Sequence, residues 1–586
     1  MPFGPRIPRF VRRSDAGYIV QICRDGPIYM GTMPAMDAEL AGSATSADEA
    51  GDTVVAGGAS PIAAGVSAAP TADPEGLAFS HVTRVVLLVG AVCAVAAGLT
   101  LRFWTKSDLW LDEALTVSIA RKPLHELPAY LKRDGAPPLF YVLLHGWTGI
   151  FGTSNLAVRA LPGVIGVATL PLAWLAGKRL AGTWAAWAAM LLVATSPFAI
   201  RYATEARMYS LVALLTALGY LALDRALRHP RLGNLTAVAA VTALLLYTHY
   251  WAFYLLGVTM IWLAYQSWLG RPQWHRGARA ALLAGAVGCV AFLPWVPIFL
   301  FQSAHTGTPW ATPATFAAMV SAVASFAGGS TSEGRALALV FFALIGLGLF
   351  GRATDRIHVE LDIRTRPLGR PLAVVVLATL TAAVIGGLAT ASAFDSRYAS
   401  VVFIPLILMV SLGVTVFRDR HVRVGIVTLA VVLGLVASVS NVTTNRTQAG
   451  EVAAAIDASG APGDVVVYCP DQLGPAVNRI LPVGRYQQVA FPRGGGPEFI
   501  DWVDYASAVR NASSLDFARR VDEMASSGKQ IFVVWAPAYE AFGAKCEQLV
   551  QTLQNNPRYR ATGVIAGDSK RFFQPMYLVR FSPVGS

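Results

Sequence analysis

Three carboxylates stand in one short stretch, Ser107-Asp-Leu-Trp-Leu-Asp-Glu-Ala114: Asp108, Asp112 and Glu113. The stretch follows directly on a long apolar run. Charge so close to hydrocarbon is costly and usually has a task. A carboxylate there can take the proton of an attacking hydroxyl while a phosphate leaves. Trp110 and Leu111 would partly desolvate one acid of the Asp112–Glu113 pair, leaving the other as a polar anchor. A plainer account is that Asp112, followed by Glu-Ala-Leu-Thr-Val, simply starts an interfacial helix as its N-cap. On composition alone the plainer account is the better one.

Three further clusters suit the same chemistry. Arg201-Tyr-Ala-Thr-Glu-Ala-Arg-Met-Tyr209 gathers Arg201, Glu205, Arg207 and Tyr209 at a membrane edge. Arginine binds phosphate oxygens through two parallel hydrogen bonds, as a lipid phosphate at this depth would require. The competing account is an anchoring belt of Arg and Tyr. Tyr247-Thr-His-Tyr-Trp251 offers His249 to a phosphate, an acceptor hydroxyl or a metal, although a lone His among aromatics more often belongs to the belt. Asp395-Ser-Arg-Tyr398 supplies Arg397 and Tyr398, against the alternative of a local Asp395–Arg397 pair worth little. No metal-ligand triad is visible. A divalent metal therefore stays open, and no other cofactor is indicated.

The elements that must position these residues are membrane spans. Of 586 residues, 54% are hydrophobic and only 14% charged, where a soluble chain carries roughly a quarter. Apolar runs long enough to cross a bilayer fall at about 85–103, 157–177, 183–200, 206–223, 235–250, 252–269, 279–300, 335–351, 371–391, 398–416 and 424–440. That is about eleven transmembrane helices. The net charge of +12 would suggest nucleic acid in a soluble domain. Here Arg and Lys concentrate in alternate short loops, the positive-inside pattern, so no nucleic-acid partner is expected. The pattern puts the N-terminus in the cytoplasm and all four polar clusters on the outer face of a cell inner membrane, in what the Ala-rich composition suggests is a bacterial protein.

The segment 138–152 is apolar but short, and if it spanned, every later basic loop would lie outside. It is therefore predicted to be an amphipathic helix in the outer interface, within a first outside loop of 104–156. Residues 1–80 lack a periodic apolar face and read as a disordered cytoplasmic tail; translation starting at Met33 or Met36 is a plainer alternative for its first part. No cleavable secretory signal is expected, because the first apolar run begins only near Val85. From 441 the character changes. Asp464-Val-Val-Val-Tyr468, Ile531-Phe-Val-Val-Trp535 and Tyr577-Leu-Val-Arg-Phe581 read as strands, with a helical pattern at 538–554, giving a small extracytoplasmic α/β domain over 441–586. Its two cysteines, Cys469 and Cys546, are disulfide candidates, against two separately buried thiols.

An ordered set of motifs now resembles a family. The Asp-Glu pair after the first span is followed by Ala-Pro-Pro-Leu-Phe-Tyr141, by Phe151-Gly152, by Ala157-Val-Arg159-Ala-Leu-Pro162, and by Ala206-Arg-Met-Tyr209. This is similar to family 39 of the GT-C glycosyltransferases, which includes the protein O-mannosyltransferases and the aminoarabinose transferases of lipid A. The resemblance covers about 85–440 and is strongest over 104–225. It implies a GT-C transmembrane catalytic domain over 81–440, a polyprenyl-phosphate-sugar donor, and inverting transfer on the outer face. It matches Asp112 to the catalytic base and Glu113 to an acidic neighbour that helps hold substrate. Arg207 falls near the lipid-phosphate region, and Arg397 and His249 match more loosely. The sequence around Asp112 is closer to the Asp-Glu form of the mannosyltransferases, but their lumenal repeats are missing.

The expectation is an integral membrane glycosyltransferase moving a sugar, mannose or arabinose first, to a cell-envelope glycan, lipid or protein acceptor. One rival is a transporter or flippase for a lipid-linked sugar. It would need polar residues or broken helices near mid-membrane, whereas the clusters here sit at span ends. The other rival, a non-catalytic envelope scaffold, would tolerate loss of Asp112 and Glu113 but not of 441–586.

Overall fold

A computed structural model describes residues 79–584, apart from 308–313, 330, 357, 391–393, 527 and 538. The tail expected over 1–80 lies almost wholly outside the described residues. The chain divides into two compact units, Met1–Leu87 and Leu88–Ser586. The described part of the first is the beginning of the helix His81–Leu101; the rest concerns the second.

Among the described residues seven helices are long and apolar enough to cross a membrane: His81–Leu101, Asn155–Thr195, Tyr209–Arg228, Pro272–His305, Ser332–Phe350, Arg370–Thr390 and Arg420–Thr443. Their flanks expose large apolar side chains such as Leu283, Val287 and Leu339, which a water-facing surface would not tolerate in such number. The chain is a multi-pass helical membrane protein.

Seven is fewer than the eleven spans expected, for two reasons. The 41-residue Asn155–Thr195 is two helical arms, because Ala181 and Gly182 are non-helical and Gly182 has φ 82°. The chain reverses there, so that a Cβ on Gly177 would strike the Ala185 carbonyl at 2.4 Å; only glycine permits that approach. The arms correspond to the spans read at 157–177 and 183–200. Three others, Leu232–Leu246, Ala252–Trp268 and the Tyr398–Val414 segment, have only 15 to 17 residues, short for a hydrocarbon core of about 30 Å.

The segment expected at 138–152 is the 13-residue helix Leu139–Phe151, about 20 Å long and too short to span. It lies among two more short helices of the same loop, Leu111–Ala120 and Leu127–Asp134. These pack with Tyr209 at the start of a long helix, with Phe292 and Trp295 within Pro272–His305, and with Ile500 and Trp502 from the C-terminal part, in one apolar cluster.

The C-terminal part forms a five-stranded mixed sheet in the order Gln487–Ala490, Val465–Cys469, Ile531–Trp535, Tyr577–Pro583, Tyr559–Ile565. The first three strands are parallel and the last two antiparallel to their neighbours. All three strands read from the sequence are present. The interior strand Val465–Cys469 is buried at every position, as a strand covered on both faces must be. The edge strands are short or mostly exposed, so they lack the continuous apolar run that makes a strand legible. The helix expected at 538–554 is shorter, Lys545–Gln554.

Candidate active site

The helix Leu111–Ala120 begins with Trp110, not Asp112, at its N-cap, and no side chain caps it. Asp112 and Glu113 lie inside its first turn, where the helix dipole favours negative charge. Neighbours on a helix point about 100° apart, and here that angle separates two environments.

Glu113 faces inward and is wholly buried. Arg159 donates to both its oxygens, from Nε at 2.7 Å and from Nη2 at 2.5 Å. The Ala206 backbone N–H donates at 3.0 Å, and Arg446 Nη1 lies 3.5 Å away. Burial alone would raise this carboxyl, but Arg159 first, then Arg446 and Ala206, hold it down at about 2. The two arginines reach further. Arg159 donates to the carbonyls of Ser107 and Asp108 at 2.6 and 3.1 Å, and Arg446 to the Thr204 carbonyl and hydroxyl, each at 2.6 Å. Glu113 thus ties the first loop, the 204–207 edge and the start of the C-terminal part into one buried network. All its oxygens are spent on protein.

Asp112 faces the other way and keeps about a fifth of its surface open. Its Oδ2 accepts a 2.8 Å hydrogen bond from Arg397 Nη1. Arg397 Nε lies 3.3 Å from Asp395, so the Asp395–Arg397 pair foreseen as an alternative exists beside the longer-range one. Among the described residues Arg397 Nη2 carries no hydrogen bond. Arg207 is on the same side and donates to Thr116 Oγ1 at 3.0 Å and to Tyr141 at 3.4 Å, leaving its buried Nε without a partner. Tyr141 in turn donates to Asp134 at 2.8 Å.

Aromatic rings close the cluster. His249 lies 5.9 Å from the Tyr209 ring and 5.7 Å from the Tyr398 ring, centre to centre. The buried Tyr209 hydroxyl has no hydrogen-bond partner among the described residues. His249 Nδ1 accepts the Trp251 backbone N–H at 3.1 Å, which leaves the ring proton of the neutral form on Nε2. Burial, then Arg207 and Arg397, push the imidazole down to about 3. His249 is therefore a neutral ring at ordinary pH and not a third cation.

Asp112, Arg207, Tyr209, His249, Arg397 and Tyr398 thus come together from the first loop and the ends of three later helices. Arg201 and Glu205 pair beside them at 3.3 Å. Among the described residues neither buried Glu205 oxygen has a hydrogen bond, and burial pushes that carboxyl up. Cys469 and Cys546 are bonded to each other, far from the carboxylates in sequence, and tie the strand Val465–Cys469 to the helix Lys545–Gln554. Among the described residues no group of three His, Cys, Asp or Glu could hold a metal.

Sequence reasoning gave no role to Arg159 or Arg446. Arg159 stood inside a quoted motif, and an arginine in so apolar a segment was the signal available. Arg446 has no local signal, since only the fold brings it to Glu113. The C-terminal part also touches the loop at Trp110, whose ring meets Phe573 edge-on at 5.4 Å.

Residues 135–298 match the family model of dolichyl-phosphate-mannose-protein mannosyltransferases. The match takes in Arg159, Arg207 and His249 but not Asp112 or Arg397. No curated protein matches the chain. Among solved structures the fold is similar to that of ArnT from Cupriavidus metallidurans. The apo form has a TM-score of 0.52 at 14% identity, covering 85% of this chain and 98% of ArnT. The form bound to undecaprenyl phosphate has a TM-score of 0.50 at 13% identity, covering 86% and 98%. The resemblance drawn from the motifs holds.

Proposed function

We propose that the chain is a membrane GT-C glycosyltransferase of the mannosyltransferase type, transferring a sugar from a polyprenyl phosphate to an acceptor hydroxyl with Asp112 as the base. The observation that carries this reading is the open Asp112 carboxylate held 2.8 Å from Arg397. In the reaction Asp112 takes the proton of the acceptor hydroxyl. The hydroxyl oxygen attacks the anomeric carbon from the face opposite the phosphate, and the carbon–oxygen bond to the phosphate breaks with inversion.

Negative charge builds on the departing phosphate, and preorganised donors at that position lower the barrier. Arg397 keeps a free Nη2 for a phosphate oxygen while Nη1 stays on Asp112. Arg207 adds a second cation, and Tyr209 an unpaired hydroxyl. Glu113 is assigned a positioning role: it fixes the first turn that aims Asp112. The undecaprenyl phosphate held by ArnT supports a long polyprenyl carrier for the donor. The acceptor is a cell-envelope glycan, lipid or protein, and the reaction side is the outer face.

The test is direct. Membranes containing the protein are incubated with radiolabelled polyprenyl-phosphate mannose or arabinose, and the labelled product is identified. Transfer seen with wild type and lost with Asp112→Asn supports the reading. Equal transfer by both would sink it.

A further inference from the structure

Arg397 and Tyr398 stand at the start of the Tyr398–Val414 segment; a cavity lies at its other end. The helix Ser332–Phe350 stops there and gives way to a small antiparallel pair, Gly351–Ala353 with Val359–Leu361. The chain then enters Arg370–Thr390. Between the hairpin, the start of that helix, Thr415 and Val416 is a cavity of about 370 Å³.

Arg352, Arg364, Arg366 and Arg370 line it, with Asp362 as the one acid in the lining. The Asp362 carboxylate is already engaged by the Arg364 backbone N–H at 2.8 Å. Arg370 Nε is held by Thr365, at 2.6 and 2.8 Å, and Arg366 reaches only the Leu412 carbonyl, at 3.4 Å. Neither the Arg352 nor the Arg364 side chain has a hydrogen bond or ion pair among the described residues. Four cations thus line one space against a single acid, Asp362, of which only Oδ1 is engaged; Glu360 stands opposite Arg352 in the hairpin, outside the lining. Burial pushes the Arg366 guanidinium down, as expected of a cation lacking an anion.

The rim is apolar. Leu361 is 67% exposed and Ile363 93% exposed beside Arg364, and Phe350 lines the cavity itself. Exposed Leu and Ile next to unpaired Arg, at the end of a membrane-length helix, suits the depth where acyl chains meet headgroups. An arginine fork gives a phosphate oxygen pair two parallel hydrogen bonds.

We propose that this cavity binds the phosphate of an anionic membrane lipid, with the acyl chains lying against Phe350, Leu361 and Ile363. The chemistry it recognises is a phosphate-ester anion, and Phe350 with the exposed Leu361 and Ile363 favours a lipid over a soluble phosphate. The site is separate from Asp112 and does not depend on the transferase reading.

The experiment uses full-length protein in detergent micelles, titrated with dioleoylphosphatidylglycerol or dioleoylphosphatidylcholine, with bound lipid counted by native mass spectrometry. Wild type should retain the anionic lipid in preference to the zwitterionic one. Each arginine near an anionic surface contributes roughly a fivefold gain, so R352Q/R364Q should weaken retention roughly thirtyfold. R352K/R364K should recover part of it, which guards against a folding defect. R271Q/R276Q, exposed at the start of the helix Pro272–Val290, should change nothing. Equal retention by wild type and R352Q/R364Q overturns the proposal. Inorganic phosphate displacing the lipid at comparable concentration also overturns it, by making the site one for soluble anions.

Discussion

Arg397 donates a 2.8 Å hydrogen bond to Asp112 across 285 residues of sequence. The pair joins the first loop to the start of the Tyr398–Val414 segment, and each side chain remains about one-fifth open. One residue further along, Glu113 is sealed against Arg159 with no exposure. A single helical step therefore divides a partly open acid from an acid consumed by the fold.

Asp112→Asn keeps the shape and the hydrogen-bond acceptor but cannot take a proton. Transfer from a labelled polyprenyl-phosphate sugar should fall by roughly 10²- to 10⁴-fold, the range of a lost general base. Membrane levels and melting midpoint should stay near wild type. A variant that retains activity removes Asp112 from the reaction.

Arg397→Gln should raise KM for the donor and lower kcat together, since it removes the phosphate's cation and unpairs Asp112. Arg397→Lys restores charge without the planar fork and should lie between the two. Steady-state kinetics in donor concentration distinguish these cases. If KM is untouched in both variants, Arg397 orients Asp112 and does not meet phosphate.

Glu113→Gln should act on the fold first. Removing one partner of a buried ion pair costs about 3–5 kcal/mol, read as a lower melting midpoint and less protein in the membrane. The pH dependence has a definite sign. Glu113 is depressed to about 2 in the folded protein, against about 4.3 for a free Glu. Its contribution is full above about 4.3 and is lost as pH falls toward about 2. Glu113→Gln should flatten that part of the melting curve against pH, and an unchanged slope would contradict the assignment.

His249 gives a second window. Its imidazole is held down to about 3, against about 6.5 when free. The unfolded chain takes up the proton first, so stability should drop as pH falls from about 6.5 toward 3. Melting of His249→Gln should depend less on pH over that range. Any activity change of wild type between pH 5 and 8 should survive in His249→Gln, because the neutral ring does not titrate there.

Much of this molecule is written locally. The long apolar runs, the short 138–152 segment and the three sheet strands follow from length, periodicity and composition, because lipid and a covered sheet impose those patterns on contiguous residues. The candidate base was legible as well, through acids placed next to a membrane span. Tertiary structure decided the division between Asp112 and Glu113, since either could have faced inward until Arg159 and Arg446 claimed one of them. It also joined Arg397 to Asp112 and made His249 a neutral ring rather than a cation. Local sequence carries no trace of these outcomes, because ion pairing and burial depend on which distant helix ends meet, and only the packed chain brings those ends together.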